Sequence, residues 1–418
     1  MTEALRPFVM CLALASCTAA PSSPGVDPPP GDDAGPTALP SAVATQIAVG
    51  GLHICALTST GAVRCWGTSY HGEVGNGGPI DSTDYLVPVQ VVGLTSGVVA
   101  ISAHDGDHTC ALTSAGGVLC WGGDAYGQLG TGRPHTDTSI TDSATPVAVA
   151  GLSSGVKAIS AGSSHTCAIT AAGGVKCWGF NQYGQLGNDS TEDSNTPVDV
   201  VGLSSGVTAI AAGDQHTCAV TAQGGLRCWG SNVDGELGND STDTSRVPVD
   251  VVGMTSGVAA VSTGRFTTCA ITTAGAARCW GLNDVGQVGN GVSSGVGGGG
   301  DDAHVPADVH GLATGVTSIS TSNELACAVA QGATQCWGSN AVGKLGNNSP
   351  GGFQSFIPVG VTGRDHGSAA VGAAYNHACA LTTAGAVWCW GEAEGGGGPL
   401  GNGTNDSATV PVAVVSLP

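Results

Sequence analysis

From residue 40 onward, short apolar runs alternate with polar positions and are broken by glycine. In one stretch, Val156 to Ala161 predicts an alternating strand (a), Gly162-Ser163-Ser164 a turn, His165 to Thr170 a second strand (b), and Val175 to Trp178 a third (c). Gly184-Gln185-Leu186-Gly187 and a polar loop follow, and Pro197-Val198-Asp199-Val200 completes the unit as strand d. A prolyl start to strand d suits an outer edge, where a missing N–H costs least. Versions of the b–c hairpin begin near residues 53, 108, 165, 216, 267, 325 and 377. Their first cysteines are spaced by 55, 57, 51, 51, 58 and 52 residues. Four antiparallel strands repeated seven times at such a period predict an all-β, seven-bladed β-propeller over residues 40–418.

The hairpin register follows from symmetry. Cys55 and Cys65 flank Ser59-Thr60-Gly61, a three-residue loop with glycine at the left-handed position, so the cysteines stand opposite each other. Leu57 then faces Val63, Ile54 faces Trp66 and Ala56 faces Arg64. In the sixth unit, Cys327 and Cys336 are one residue closer, and a two-residue loop at Gln331-Gly332 keeps them opposed.

Composition agrees with strands and turns rather than helices, with 70 glycines in 418 residues and only 10% charged residues. The net charge of −20 argues against nucleic acid, whose phosphates need clustered Lys and Arg, and against direct docking on an anionic membrane. It leaves cations or basic partners as the attracted class.

Residues 1–17 combine Arg6 with an apolar run from Phe8 to Ala15, too short to span a membrane and shaped like an export signal. The end of that run, Leu14-Ala15-Ser16-Cys17, resembles the lipobox of bacterial lipoproteins, which implies a diacylated Cys17 as the new N-terminus. Residues 18–39 are rich in Pro, Gly, Ser and Asp and predict a disordered tether. The expected location is the cell envelope, lipid-anchored and extracytoplasmic. In an exported chain the opposed cysteines read as seven disulfides: Cys55–Cys65, Cys110–Cys120, Cys167–Cys177, Cys218–Cys228, Cys269–Cys279, Cys327–Cys336 and Cys379–Cys389. Zinc ligation is the weaker reading, because zinc draws its cysteines to one point and these sit in separate units.

The segments Ile159-Ser160-Ala161-Gly162-Ser163-Ser164-His165-Thr166-Cys167-Ala168-Ile169 and Trp178-Gly179-Phe180-Asn181-Gln182-Tyr183-Gly184-Gln185-Leu186-Gly187-Asn188 resemble the two halves of the regulator of chromosome condensation repeat. That resemblance spans residues 40–418 and implies a seven-bladed propeller with four-stranded blades. The chain departs from the pattern in its strand-b cysteines, in Thr267 and Leu325 where other units have histidine, and in Gly398-Pro399-Leu400-Gly401. WD, kelch and Asp-box repeats fit less well in period or motif. The family's nuclear nucleotide-exchange role needs basic surfaces and a different compartment, so function has to be argued from a site.

In such a meander the a–b and c–d loops share one face, and these are the loops that vary. The candidate binding residues there are Leu52, Asp105, Asp107, Gln215, Arg265, Phe266, Glu324 and Tyr375. The c–d loops add acid at Asp81, Asp84, Asp137, Asp142, Asp189, Glu192, Asp193, Asp240, Asp243, Asp301, Asp302 and Asp406. The repeated His53, His108, His165, His216 and His377 read as structural partners of turn backbone, and the repeated Trp residues as interblade packing. Tyr70, Tyr126 and Tyr183 read equally as an aromatic binding patch or as covers for blade junctions. The runs 188–193 and 239–243 lack the spacing of a calcium loop and read as solvated. Gly295 to Gly300 with Asp301-Asp302 reads as a flexible insertion.

No catalytic set, metal site or cofactor motif stands out. The reading is a monomeric, non-enzymatic module for a protein partner of unknown identity, touching the membrane only through its lipid. One alternative is a lyase or hydrolase at the central channel, with His104, His310 and His366 as unrepeated histidines. Another is an inhibitor of a second enzyme, by resemblance to propeller-shaped β-lactamase inhibitor proteins. The low aromatic content, 4%, counts against it.

Overall fold

The computed structural model describes residues 42–133, 141–292, 302–349, 351–393, 400–415 and 417. The export signal with Cys17, the tether, Asp137, Gly295–Gly300 and Asp301 lie outside the described residues. The described strands form seven four-stranded antiparallel sheets, each in sequential order. Blade 1 runs from strand a at Ala44–Val49 to strand d at Asp84–Gln90, and blade 7 from Ser368–Ala373 to Ala408–Ala413. Strands a of neighbouring blades meet around the axis, and strands d form the rim.

The predicted register holds. Cys55 pairs with Cys65, Ile54 with Trp66, Ala56 with Arg64 and Leu57 with Val63. In blade 6, Cys327 pairs with Cys336, and Gln331 and Gly332 both adopt positive φ in the two-residue turn. All seven disulfides are formed, each between directly opposed cysteines with Cα atoms 4.0–4.1 Å apart.

Strand d differs from expectation. In blade 3 it spans Ser194–Asp199, so Pro197 lies inside the strand rather than at its start. Val198 pairs with Cys177 and Ser194 with Gly179, which leaves three residues opposite Trp178. The proline sits in that bulge, where the ladder is already interrupted and no N–H is missed.

The core lies between blades. Each apolar cluster joins the disulfide of one blade to the tryptophan of the next, as Cys167 and Cys177 do with Trp229. The last cluster joins Cys379 and Cys389 to Trp66 of blade 1. Each of these tryptophans is fully buried, which stabilises a junction by on the order of 4 kcal/mol on area alone.

The ring is closed by the bond used at every other junction. The b–c turn glycine carbonyl accepts an N–H at or beside the start of strand a in the next blade: Gly173 O from Val207 N at 2.9 Å, and Gly385 O from Ala44 N at 3.1 Å across the seam. Gly173 has φ +81°, and a Cβ there would lie 2.7 Å from the Gly206 nitrogen. Only glycine permits both the left-handed turn and this approach.

Candidate binding face

The a–b and c–d loops emerge together on one face, and the a–b turns of successive blades touch around the channel mouth. Gly51 N donates to Gly106 O, Ser163 N to Gly213 O, and Asp214 N to Gly264 O. The opposite face carries the short b–c and d–a turns.

Beneath the loop face runs a relay that extends beyond the sequence reading. The histidine ring packs against its own a–b turn, His53 at Gly50 and His165 at Gly162, and its Nε2 reaches on to the next blade. His108 Nε2 lies 2.8 Å from Thr166 Oγ1, and Thr166 Oγ1 donates to Gln128 O at 2.9 Å. Since the hydroxyl proton goes to the carbonyl, the imidazole is the donor, neutral and protonated on Nε2. The same pairing joins His53 to Thr109, His165 to Thr217 and His216 to Thr268. Burial lowers His53, His165 and His216 to about 3, and His108 and His377 to about 4. Gln128 O also accepts Trp178 Nε1–H at 2.9 Å, so the Gly-Gln-Leu-Gly element of one blade caps the tryptophan of the next.

The acidic loops have their own internal latch. Asn181 Nδ2 donates to Asn188 Oδ1, Ser190 O and Glu192 O, and Asn232 repeats this with Asn239, Ser241 and Asp243. An amide group thus stands where these oxygens converge. These latch asparagines escaped the sequence reading, although each follows Trp-Gly by the same spacing.

The candidate residues separate into two clusters and some isolated positions. Arg265 Nε contacts Asp214 Oδ2 at 3.2 Å, and its guanidinium stacks 4.8 Å above the Phe266 ring. Glu324 contacts the ammonium of Lys344 at 3.4 Å, and that ammonium donates to Tyr375 O at 3.0 Å. Lys344 is 1% exposed and was missed, although it replaces the glutamine of the repeat. Burial lowers its pKa against the pull of Glu324 and Asp105. Leu52 is 38% and Tyr375 48% exposed. Asp107 is exposed beside His71, at 4.0 Å, and Gln215 is half-buried.

Asp105 is not presented outward as expected. Blade 2 has one extra a–b residue, Asp105 adopts φ 38°, and its carboxylate oxygens are buried without a hydrogen bond of good geometry among the described residues. Burial and the Asp214 charge raise it to about 7, against the Tyr375 N–H, the Lys344 ammonium and the Asn323 N–H that face it. His104 beside it is lowered by burial to about 4, and its Nε2 is likewise unpaired. His310 and His366 lie in d–a turns on the other face, so the unrepeated histidines do not converge.

A model of the RCC1-like domain matches residues 24–297, and one of the regulator of chromosome condensation (RCC1) repeat matches residues 369–394. The ultraviolet-B receptor UVR8 of Arabidopsis thaliana is 31% identical over 89% of this chain and 81% of its own length. The chain belongs to the RCC1-like family. The human E3 ubiquitin-protein ligase HERC2 is 30% identical over 74% of this chain, a stretch that is 6% of HERC2. Among solved structures, Prp20p of Saccharomyces cerevisiae superposes with TM-score 0.71 at 22% identity, over 86% of this chain and 87% of Prp20p. Human WBSCR16 gives TM-score 0.71 at 21% identity, over 85% and 94%. This RCC1-like propeller carries a disulfide in every blade, and its loop face carries Tyr70, Tyr126, Phe180, Tyr183, Phe266 and Tyr375. That face is richer in aromatics than the overall composition suggested.

Proposed function

We propose that this protein is an extracytoplasmic binding module, held at a membrane by lipid on Cys17 and presenting the loop face of its propeller to a protein partner. The carrying observation is segregation. Among the described residues the variable a–b and c–d loops lie on one face, and the other face is knit by the same turn-to-strand bond at each junction. Seven disulfides suit an oxidising compartment and make the scaffold rigid, so recognition needs little ordering of the site. By name, UVR8 is a receptor and HERC2 a ligase, so the shared propeller transfers no single activity.

The test is cross-linked capture with the full chain. Changing Arg265→Ala together with Phe266→Ala abolishes capture, whereas His366→Ala on the opposite face leaves it intact. Retention of every partner by the double variant overturns the reading. A second reading, chemistry at the channel mouth, draws on the convergence there of His104, Asp105, Asp214 and Lys344, with Asp105 in the range of a general acid or base. Loss of a hydrolase or lyase activity in Asp105→Asn, with partner capture unchanged, would favour it.

A further inference from the structure

Lysine and arginine are unevenly used on this molecule. Three of them pair with strand-d aspartates away from the loops: Lys176 with Asp199 at 2.7 Å, Arg227 with Asp250 at 2.8 Å and Arg278 with Asp308 at 2.8 Å. On the loop face, Arg246, Arg265 and Lys344 are already engaged by Asp189, Asp214 and Glu324, and Arg133 is exposed in the c–d loop of blade 2. The remaining loop acid leaves that face strongly negative.

The aromatic rings divide in the same way. Phe266 and Tyr375 each carry a cation of this chain, Arg265 at 4.8 Å and Lys344 at 5.7 Å. Tyr126, Phe180 and Tyr183 form the other aromatic group. The Tyr126 and Phe180 centroids are 4.7 Å apart across the blade 2–3 junction, and Phe180 and Tyr183 are 6.1 Å apart. Tyr126 is 41% exposed. No lysine or arginine among the described residues stands over these rings. The Asn181 latch holds the exposed, acidic Glu192 in the same loop as Tyr183. Tyr70 has the same repeat position but no such cluster, because blade 2 has Gly123 where blade 3 has Phe180.

We infer that the Tyr126–Phe180–Tyr183 cluster receives a lysine or arginine side chain of the protein partner, with Glu192 as its counter-charge. Ring faces attract a desolvated cation, and a neighbouring carboxylate adds Coulomb attraction. The inference rests on the reading of the loop face as the binding face, and it adds the chemistry of the partner.

Fluorescence anisotropy with the full chain tests it, using Gly/Ser-spaced octapeptides that carry lysine or arginine, against the same peptides with acetyl-lysine or citrulline. The charged peptides bind, and the neutral ones do not. Tyr126→Leu with Tyr183→Leu weakens binding about tenfold, whereas Tyr70→Leu leaves it within about twofold. Glu192→Gln, at an exposed position that leaves the fold intact, weakens it about threefold. Equal binding of the neutral peptides, indifference to these variants, or no peptide binding at all overturns the inference. So does choline binding at the same rings without peptide preference, which would assign them to a small quaternary ammonium. If Arg265→Ala with Phe266→Ala still abolishes partner capture in those cases, the face stands and only the cation assignment falls.

Discussion

Blades 1 to 5 are joined beneath the loop face by one bond used four times, from a histidine to the next blade's threonine. From blade 5 through blades 6 and 7 to blade 1, that bond is absent. Blades 5 and 6 have Thr267 and Leu325 in place of histidine, and the blades after them have Ala326 and Ala378 in place of threonine. Donor and acceptor were lost together, so neither junction buries an orphaned ring. The seam is the exception, with His377 facing Ile54 and its Nε2 buried without a partner. Blades 6 and 7 compensate individually: Ser322 donates to Ala374 O at 3.0 Å, Thr334 to Ser368 at 2.8 Å, and Lys344 to Tyr375 O. The uniform turn-side bonds hold the ring together, and the loop side is free to diverge within it.

Full reduction gives the largest separation between the two arcs. Each disulfide links cysteines 9 or 10 positions apart, worth roughly 2–3 kcal/mol. Seven together, even with poor additivity, are comparable with the whole stability of a domain. The oxidised protein shows no titratable propeller thiol, and the reduced protein unfolds well below the oxidised melting temperature. Under partial reduction, hydrogen exchange opens blades 6 and 7 before blades 2 to 4. A reduced protein that melts within a few degrees of the oxidised one, or blades that open in the reverse order, would break the comparison.

Much of this was legible because symmetry constrains it. Cysteines placed evenly about a turn dictate the hairpin register, and a seven-fold repeat of that hairpin dictates the ring. Strand d was shortened because its proline was read as a start, when a bulge opposite Trp178 accommodates it inside the strand. The histidine partner was written in the next residue, since threonine follows histidine in blades 2 to 4, but the pairing runs between blades. Asp105 was misplaced because one inserted residue turns its carboxylate inward, and no local pattern reports that. Lys344 left a signal, a cation in the position of a capped glutamine, that had no meaning until the channel mouth was assembled.

The turn glycines come next in expected effect. Gly173→Ala adds the left-handed strain of an L-residue and a Cβ 2.7 Å from backbone, costing about 2–3 kcal/mol. Gly385→Ala at the seam meets Val43 Cβ at 2.5 Å and costs a similar amount. Gly202→Ala, at φ +72° with open space around it, loses only about 1 kcal/mol. Denaturant midpoints measure all three. If Gly385→Ala behaved like Gly202→Ala, the seam would not be held by the bond that holds the other junctions.

The smallest effect at neutral pH is the most specific to the two arcs. His165→Leu removes a bond to Thr217, whose hydroxyl keeps its bond to Gln185 O, so about 1 kcal/mol is lost. His377→Leu removes a buried ring with an unpaired Nε2 and is neutral or stabilising by up to about 1 kcal/mol. Acid shifts both variants in one direction. The folded values, about 3 for His165 and about 4 for His377, lie below the ordinary 6.5. The unfolded chain therefore binds the extra proton first, and the native protein loses about 1.4 kcal/mol per pH unit per histidine as pH falls below about 6.5. Each leucine variant escapes one such loss. Urea midpoints at pH 7, 5.5 and 4.5 therefore show His165→Leu starting below the unmodified protein and overtaking it, while His377→Leu starts level or above and pulls further ahead. Parallel curves for the two variants at neutral pH would mean that the histidine–threonine bond contributes nothing, and that the two arcs differ in sequence but not in strength.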